Sequence, residues 1–101
     1  MTRLNKLGFL VTLKAKKGKE KDAENFIKSA VELAKKESNT LEWYAFQIDE
    51  STFGVFDTFE NEAGRQEHLN GKIAAALFSE TAKEIFEGEP SIEKTTILSN
   101  K

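Results

Sequence analysis

Apolar residues recur along this chain with two different periods, and the order of those periods predicts its secondary structure. Every second residue from Leu7 to Ala15 is apolar, as in a strand with one buried face. From Glu20 to about Lys36 the apolar residues instead recur three or four positions apart, which predicts an amphipathic helix. The apolar segments 41–49 and 52–59 are separated only by Glu50-Ser51, so they predict a β-hairpin.

A second helical region follows the hairpin. Asn61 is a favourable residue for capping the start of a helix, and Asn70-Gly71 predicts a break or kink within it. Apolar residues from Ile73 to Phe86 continue the helical spacing. Gly88 and Pro90 predict the end of the helix, because proline disfavours helical geometry in the residue before it.

The final segment, residues 91–98, predicts a fourth strand. The element order is therefore β-α-β-β-α-β, which is the signature of a ferredoxin-like α+β sandwich with a four-stranded antiparallel sheet and two helices on one face. The 101-residue length corresponds to one domain, which we assign to residues 1–101.

The hairpin is apolar on both of its predicted faces. A two-residue loop pairs Asp49 with Thr52 and, by extension, Tyr44 with Asp57. The helices of a ferredoxin-like monomer cover one face only, so we expect the other face to pack against a second copy in a two-fold dimer. The alternative is that one aromatic set is scattered on the surface or lines a ligand pocket. The first face would carry Tyr44, Phe46, Ile48, Phe53, Val55 and Phe59, and the second Leu41, Trp43, Ala45 and Phe56.

Composition restricts the chemistry that such a domain can perform. The chain has no cysteine and one histidine, which excludes thiolate metal sites and cysteine nucleophiles and argues against a histidine-rich metal centre. The formal net charge of −2 argues against nucleic acid as a partner. No apolar run approaches the ~20 residues that span a bilayer, so we expect no membrane partner. A cytoplasmic location is the default expectation for a chain without cysteine.

Several segments resemble the antibiotic biosynthesis monooxygenase superfamily, which includes small quinol monooxygenases. The resemblance extends over nearly the whole chain, although Ser38-Asn39 stands where family members often have Pro-Gly. The segments that carry it are Lys17-Gly18-Lys19-Glu20, Asn39-Thr40-Leu41-Glu42-Trp43-Tyr44, the run from Thr52 to Glu62, and Arg65-Gln66-Glu67-His68-Leu69.

The resemblance implies a homodimeric α+β barrel with a ligand cavity between helices and sheet. It also implies oxygenation of an electron-rich aromatic, such as a quinol or phenol, by dioxygen with no metal, flavin or other cofactor. A non-catalytic ligand-binding or stress-associated dimer of the same fold is the alternative, because fold does not determine function. Haem degradation is a weaker alternative, because Phe59 ends the third strand and no histidine lies late in the second helix.

Cofactor-free oxygenation needs a base that generates the substrate anion, and two residues are candidates for that role. His68 is the only side chain with an ordinary pKa near neutrality, so it is the first candidate for base or substrate contact; the alternative is an exposed helix histidine. Asp57 lies within a strand, where aspartate is disfavoured. It could orient Tyr44 or accept a proton, or it could form a structural hydrogen bond or an ion pair with Arg65.

The remaining candidates would bind substrate. Aromatic side chains can form the walls of a pocket for a flat ligand, although in a small sheet they more often belong to the core or to an interface. Arg65 could attract an anionic substrate or form an exposed ion pair. The aromatic candidates are Trp43, Tyr44, Phe46 and Phe56.

Overall fold

The computed structural model describes residues 7–101. These residues form a four-stranded antiparallel sheet in the order β2-β3-β1-β4, which confirms the ferredoxin-like α+β fold. The strands are β1 (Leu7–Lys14), β2 (Thr40–Asp49), β3 (Thr52–Phe59) and β4 (Ser91–Thr96). The helices are α1 (Glu20–Ser29), α2 (Val31–Ala34), α3 (Glu62–Leu69), α4 (Lys72–Leu77) and α5 (Glu80–Ile85).

Both predicted helical regions are divided into shorter helices. The first is interrupted at Ala30, between α1 and α2. In the second, Asn61 caps α3 by accepting a hydrogen bond from the Gly64 amide at 2.9 Å, as predicted, and the helix breaks at Asn70-Gly71. A further break at Phe78 was not predicted, because its signal is only Ser79, whose hydroxyl caps α5.

The core lies between the helices and one face of the sheet. The predicted alternation in β1 is confirmed, because Phe9, Val11 and Leu13 are buried on this face while Leu10 between them is only half-buried. Ile27 of α1 and Phe86, which directly follows α5, pack against them in the same apolar cluster. Within residues 7–101, no helix is both long and apolar enough to cross a membrane.

The predicted pairing of the hairpin is wrong beyond its first pair. The loop does join Asp49 and Thr52, but a bulge between Gln47 and Asp49 shifts the rest of the register by one residue. Trp43, rather than Tyr44, therefore lies opposite Asp57. Since paired residues share a face, the shift places Trp43 on the helix-covered face and Tyr44 on the open one.

The open face of the sheet remains apolar after this correction. Tyr44 and Leu10 both pair with Phe56, and Phe46 pairs with Gly54, so three aromatic rings and a leucine share the face that no helix covers. The Phe46 ring lies directly over Gly54, where a β-carbon would collide with it. Tyr44 is 56% exposed.

Candidate functional site

The most distinctive polar feature of the fold is a histidine held between two carboxylates. Nδ1 of His68 lies 2.6 Å from Oε1 of Glu37, and Nε2 of the same ring lies 3.0 Å from Oδ2 of Asp57. The latter contact is within ion-pair distance but lacks hydrogen-bond geometry, so its attraction is mainly Coulombic. We call these three residues the Glu37–His68–Asp57 array.

Three different elements bring the array together. Asp57 lies in the middle of β3, on the face that the helices cover, and its side chain is fully buried. His68 lies in the last turn of α3, and its ring packs against Phe9 and Phe59 at centroid distances of 6.1 and 5.1 Å. Glu37 follows α2 in the connection to β2. The array thus extends from the buried sheet towards the surface.

The electrostatics of the array favour a protonated imidazole. A neutral imidazole carries no charge, whereas the imidazolium donates an N–H to Glu37 and attracts both carboxylates through its positive charge. Burial by itself lowers the pKa of His68, but the carboxylates of Asp57 and Glu37 outweigh it and hold that pKa above its ordinary value of 6.5. The array therefore retains one shared proton to a higher pH than an isolated histidine would.

A surface cleft of about 420 Å³ opens above the array. Glu37 and His68 form part of its wall, and two lysines, Lys36 and Lys72, also line it. Leu33 is the one aliphatic side chain among its lining residues, and most of the others carry polar or charged groups. A ligand in this cleft would be close to the array and to two cationic side chains.

A second hollow of about 330 Å³ lies on the other side of Glu37 and Thr40, which line both cavities. Trp43 forms part of its wall. The indole Nε1 of Trp43 and Oδ1 of Asp57 are both buried and have no hydrogen-bond partner among residues 7–101. One is a donor and the other an acceptor, and the two residues face each other across β2 and β3.

The structure brings only some of the sequence-predicted candidates together. His68 and Asp57 are in contact, and Trp43 lies beside Asp57 on the same face of the sheet. Tyr44, Phe46 and Phe56 lie on the opposite face, away from the array. The hydroxyl of Tyr44 donates a hydrogen bond to Glu42, which raises the pKa of that phenol.

Arg65 is buried and is not among the residues that line the cleft. Its guanidinium donates to the carbonyl oxygens of Gly8 and Thr95, at 3.4 and 3.2 Å, and to the carboxylate of Glu62. It also lies 5.6 Å from the centre of the Phe9 ring. These contacts join α3 to β1 and β4 through main-chain carbonyls.

Sequence reasoning missed Glu37. Its only local signal is an acidic residue directly after the apolar stripe of the first helical region, and acidic residues are common in such positions. Its importance comes from a contact with a residue 31 positions away. Within residues 7–101, no group of three or more histidine and acidic side chains is arranged to hold a metal ion.

Comparisons with known proteins extend this description. No family model matches the chain, and no curated protein sequence matches it. A solved structure of a Nitrosomonas europaea protein of unknown function is 47% identical, with a TM-score of 0.92, and the match covers 99% of this chain and 96% of that one. The chain belongs to the same family as that protein.

Solved structures described as proposed antibiotic biosynthesis monooxygenases share its fold. A proposed antibiotic biosynthesis monooxygenase from Caulobacter crescentus has a TM-score of 0.75 at 19% identity, over 96% of this chain and 93% of that one. Another, from Nitrosomonas europaea, has a TM-score of 0.79 at 12% identity, and the match covers 92% of this chain and 99% of that one. At these identities the likeness shows the fold alone, and the reaction has to be argued from the site.

Proposed function

We propose that this protein is a cofactor-independent monooxygenase that oxidises a quinol or a phenol with dioxygen. The observation that carries the proposal is the buried His68, held between two carboxylates beside a cleft of about 420 Å³. Such an array can accept a proton from a ligand hydroxyl. The resulting anion gives up an electron to dioxygen more readily than the neutral ligand does. The likeness in fold to proposed antibiotic biosynthesis monooxygenases supports the same reaction class.

The two buried members of the array have separate roles in this proposal. His68 holds the shared proton, and its imidazole becomes a strong proton acceptor once that proton is lost. Asp57 stabilises the imidazolium from the buried side and fixes the ring orientation. Trp43, beside the second hollow, would form an aromatic wall for the ligand ring. Arg65 would act by positioning α3, since its guanidinium is engaged by backbone carbonyls.

The overall reaction balances without another reductant. A quinol and dioxygen give a hydroxylated quinone and water: one oxygen atom replaces a ring hydrogen, and the other leaves as water. The quinol itself supplies the electrons, and the two protons of the water come from its hydroxyl and ring positions. The protein has to bind the quinol, accept a proton and provide the polar surroundings in which the anion persists.

Oxygen uptake with reduced naphthoquinones tests the proposal. We expect the wild-type protein to exceed the autoxidation rate, and Asp57→Asn and His68→Gln to lower that excess by about 100-fold or more. Tyr44→Phe is the matched control, since its side chain lies on the opposite face of the sheet. A wild-type rate equal to autoxidation across several quinols would contradict the proposal and favour a non-catalytic ligand-binding protein of the same fold.

We also propose that the open sheet face pairs with a second copy of the chain in a homodimer. The open face carries a continuous apolar surface formed by Leu10, Tyr44, Phe46 and Phe56. Face-to-face packing with the same surface of a second copy would cover it. Sedimentation at micromolar concentration should give twice the 11.4 kDa chain mass. Tyr44→Lys should weaken the dimer at least tenfold, whereas Glu32→Lys on α2 should leave it unchanged. A wild-type protein that sediments at the mass of one chain would overturn this proposal.

A further inference from the structure

Glu37 stands between the cleft and the imidazole of His68. The side chains of the array become steadily more buried from Glu37 (20% exposed) through His68 (7%) to Asp57 (0%). Glu37 lines both cavities, whereas His68 lines only the cleft and Asp57 lines neither. A ligand entering from solvent therefore reaches the Glu37 carboxylate before the other two members.

Both nitrogens of His68 already have partners, which limits what the ring can do directly. Nδ1 is 2.6 Å from Glu37 and Nε2 is 3.0 Å from Asp57, so neither nitrogen is available to a ligand hydroxyl. The rings of Phe9 and Phe59 also pack against the imidazole. Direct deprotonation of a ligand by His68 would require one of these contacts to break.

The carboxylate of Glu37 keeps one oxygen for a ligand. Its Oε1 accepts a hydrogen bond from the Thr40 hydroxyl at 2.8 Å and faces His68 Nδ1. Its Oε2 lies beside Gly71, where a β-carbon would be 3.0 Å away, so the missing side chain leaves space next to this oxygen. No hydrogen bond to Oε2 is formed within residues 7–101.

We infer that Glu37 is the catalytic residue that accepts the ligand proton, and that the ligand enters as an un-ionised hydroxyl compound. This inference rests on the proposed function and deepens it. The O–H bond of the ligand breaks, the proton binds Oε2 of Glu37, and the electron pair stays on the ligand oxygen. His68 and Asp57 hold the Glu37 carboxylate in place from the buried side.

The charges around the array support an un-ionised ligand. Two carboxylates and one imidazolium carry a net charge of −1 at the point of contact, which repels a ligand that is already anionic there. Glu67, the other acidic residue of the cleft, accepts a hydrogen bond from Asn39 at 2.6 Å. Lys36 and Lys72 line the cleft and would stabilise the anion after proton transfer. Arg65 is turned away towards main-chain carbonyls.

The first test follows the proton without any turnover. His68 is the only histidine, so its ring resonances in an NMR titration are assigned without ambiguity. Glu37→Gln should lower the pKa of His68, because it removes one of the two carboxylates that raise it. Glu67 lines the same cleft without contacting the ring, so the control variant Glu67→Gln should leave the pKa of His68 unchanged. An unchanged His68 titration in Glu37→Gln would overturn the inference.

The second test uses two ligands of similar size under anaerobic conditions. We expect wild type to bind phenol at least tenfold more tightly than benzoate, and we expect Glu37→Gln to lose most of that difference. Equal affinity for the two, or an unaltered preference in Glu37→Gln, would contradict an un-ionised ligand at Glu37. These affinities can be measured even if the protein oxidises no quinol. A negative binding result would therefore contradict the role of Glu37 independently of whether the proposed reaction occurs.

The third test is kinetic. With an active wild type, Glu37→Gln should lower kcat by about 100-fold or more with a smaller change in KM, since proton acceptance acts in the chemical step. Glu37→Asp keeps a carboxylate and should recover part of the loss, which a merely structural role would not predict. The inference is wrong if Glu37→Gln retains wild-type kcat with an unchanged pH profile.

Discussion

His68→Leu should destabilise the protein more than an ordinary histidine substitution would. The carboxylate of Asp57 is fully buried, and its one ion-pair partner within residues 7–101 is His68. Removal of one member of a buried pair leaves an uncompensated charge and costs about 3–5 kcal/mol. For a domain whose total stability is about 5–15 kcal/mol, that loss is a large fraction.

A second substitution separates the charge from the loss of packing. Asn at position 57 has no charge to bury, so adding Asp57→Asn to His68→Leu should restore about 1–3 kcal/mol, which is the difference between a buried unpaired charge and an unsatisfied amide. Substitutions at contacting residues are expected to be non-additive in this way. Strict additivity of the two losses would show that the contact between these side chains contributes little.

The contact between His68 and the carboxylates also predicts how the free energy of unfolding changes with pH. The pKa of His68 is raised in the folded protein, so the folded state binds the proton more tightly than the unfolded chain does. The resulting stabilisation is fully present below about pH 6.5 and is lost as the pH rises through the raised folded value. Wild type should therefore lose stability as the pH rises above about 6.5, and His68→Leu should lack this transition.

Urea unfolding followed by fluorescence of the single tryptophan measures both effects. With a slope of about 1.3 kcal/mol per molar for a chain of this length, a 4 kcal/mol loss lowers the midpoint by about 3 M. The protomer concentration has to be equal in all samples, because an oligomer gains stability by mass action. Identical midpoint changes with pH in wild type and His68→Leu would refute the electrostatic reasoning.

Two further predictions concern the scaffold that holds the array. Gly8→Ala should cost about 1–3 kcal/mol in urea unfolding, because its β-carbon would lie 2.7 Å from the main-chain oxygen of Asp57. Gly18→Ala is unsuitable as the control, since Gly18 has a positive φ of 86°, so Ala75→Ser at an exposed position of α4 serves instead. Asn61→Ala should cost about 1 kcal/mol by removing the cap of α3, and Asn61→Ser should recover most of it; equal losses for both would contradict a capping role.

Much of the fold follows from local patterns. The alternation in β1, the capping residue Asn61 and the break at Asn70-Gly71 are all decided by nearby residues, and all are found where the pattern predicts them. The hairpin register is different. A bulge adds one unpaired residue near Ile48, and no distinctive residue marks it, so the pattern could not reveal which aromatic side chain faces Asp57.

The candidate site shows the same division between local and long-range information. The sequence by itself identified His68 and Asp57 as the unusual polar residues of an otherwise apolar framework, because a lone histidine and an aspartate within a strand stand out by type. Only the tertiary structure showed that they touch, and that Glu37 completes the array from 31 residues away. The physical reason is that propensity and periodicity are properties of neighbouring residues, whereas a buried proton-sharing contact depends on how separate elements pack.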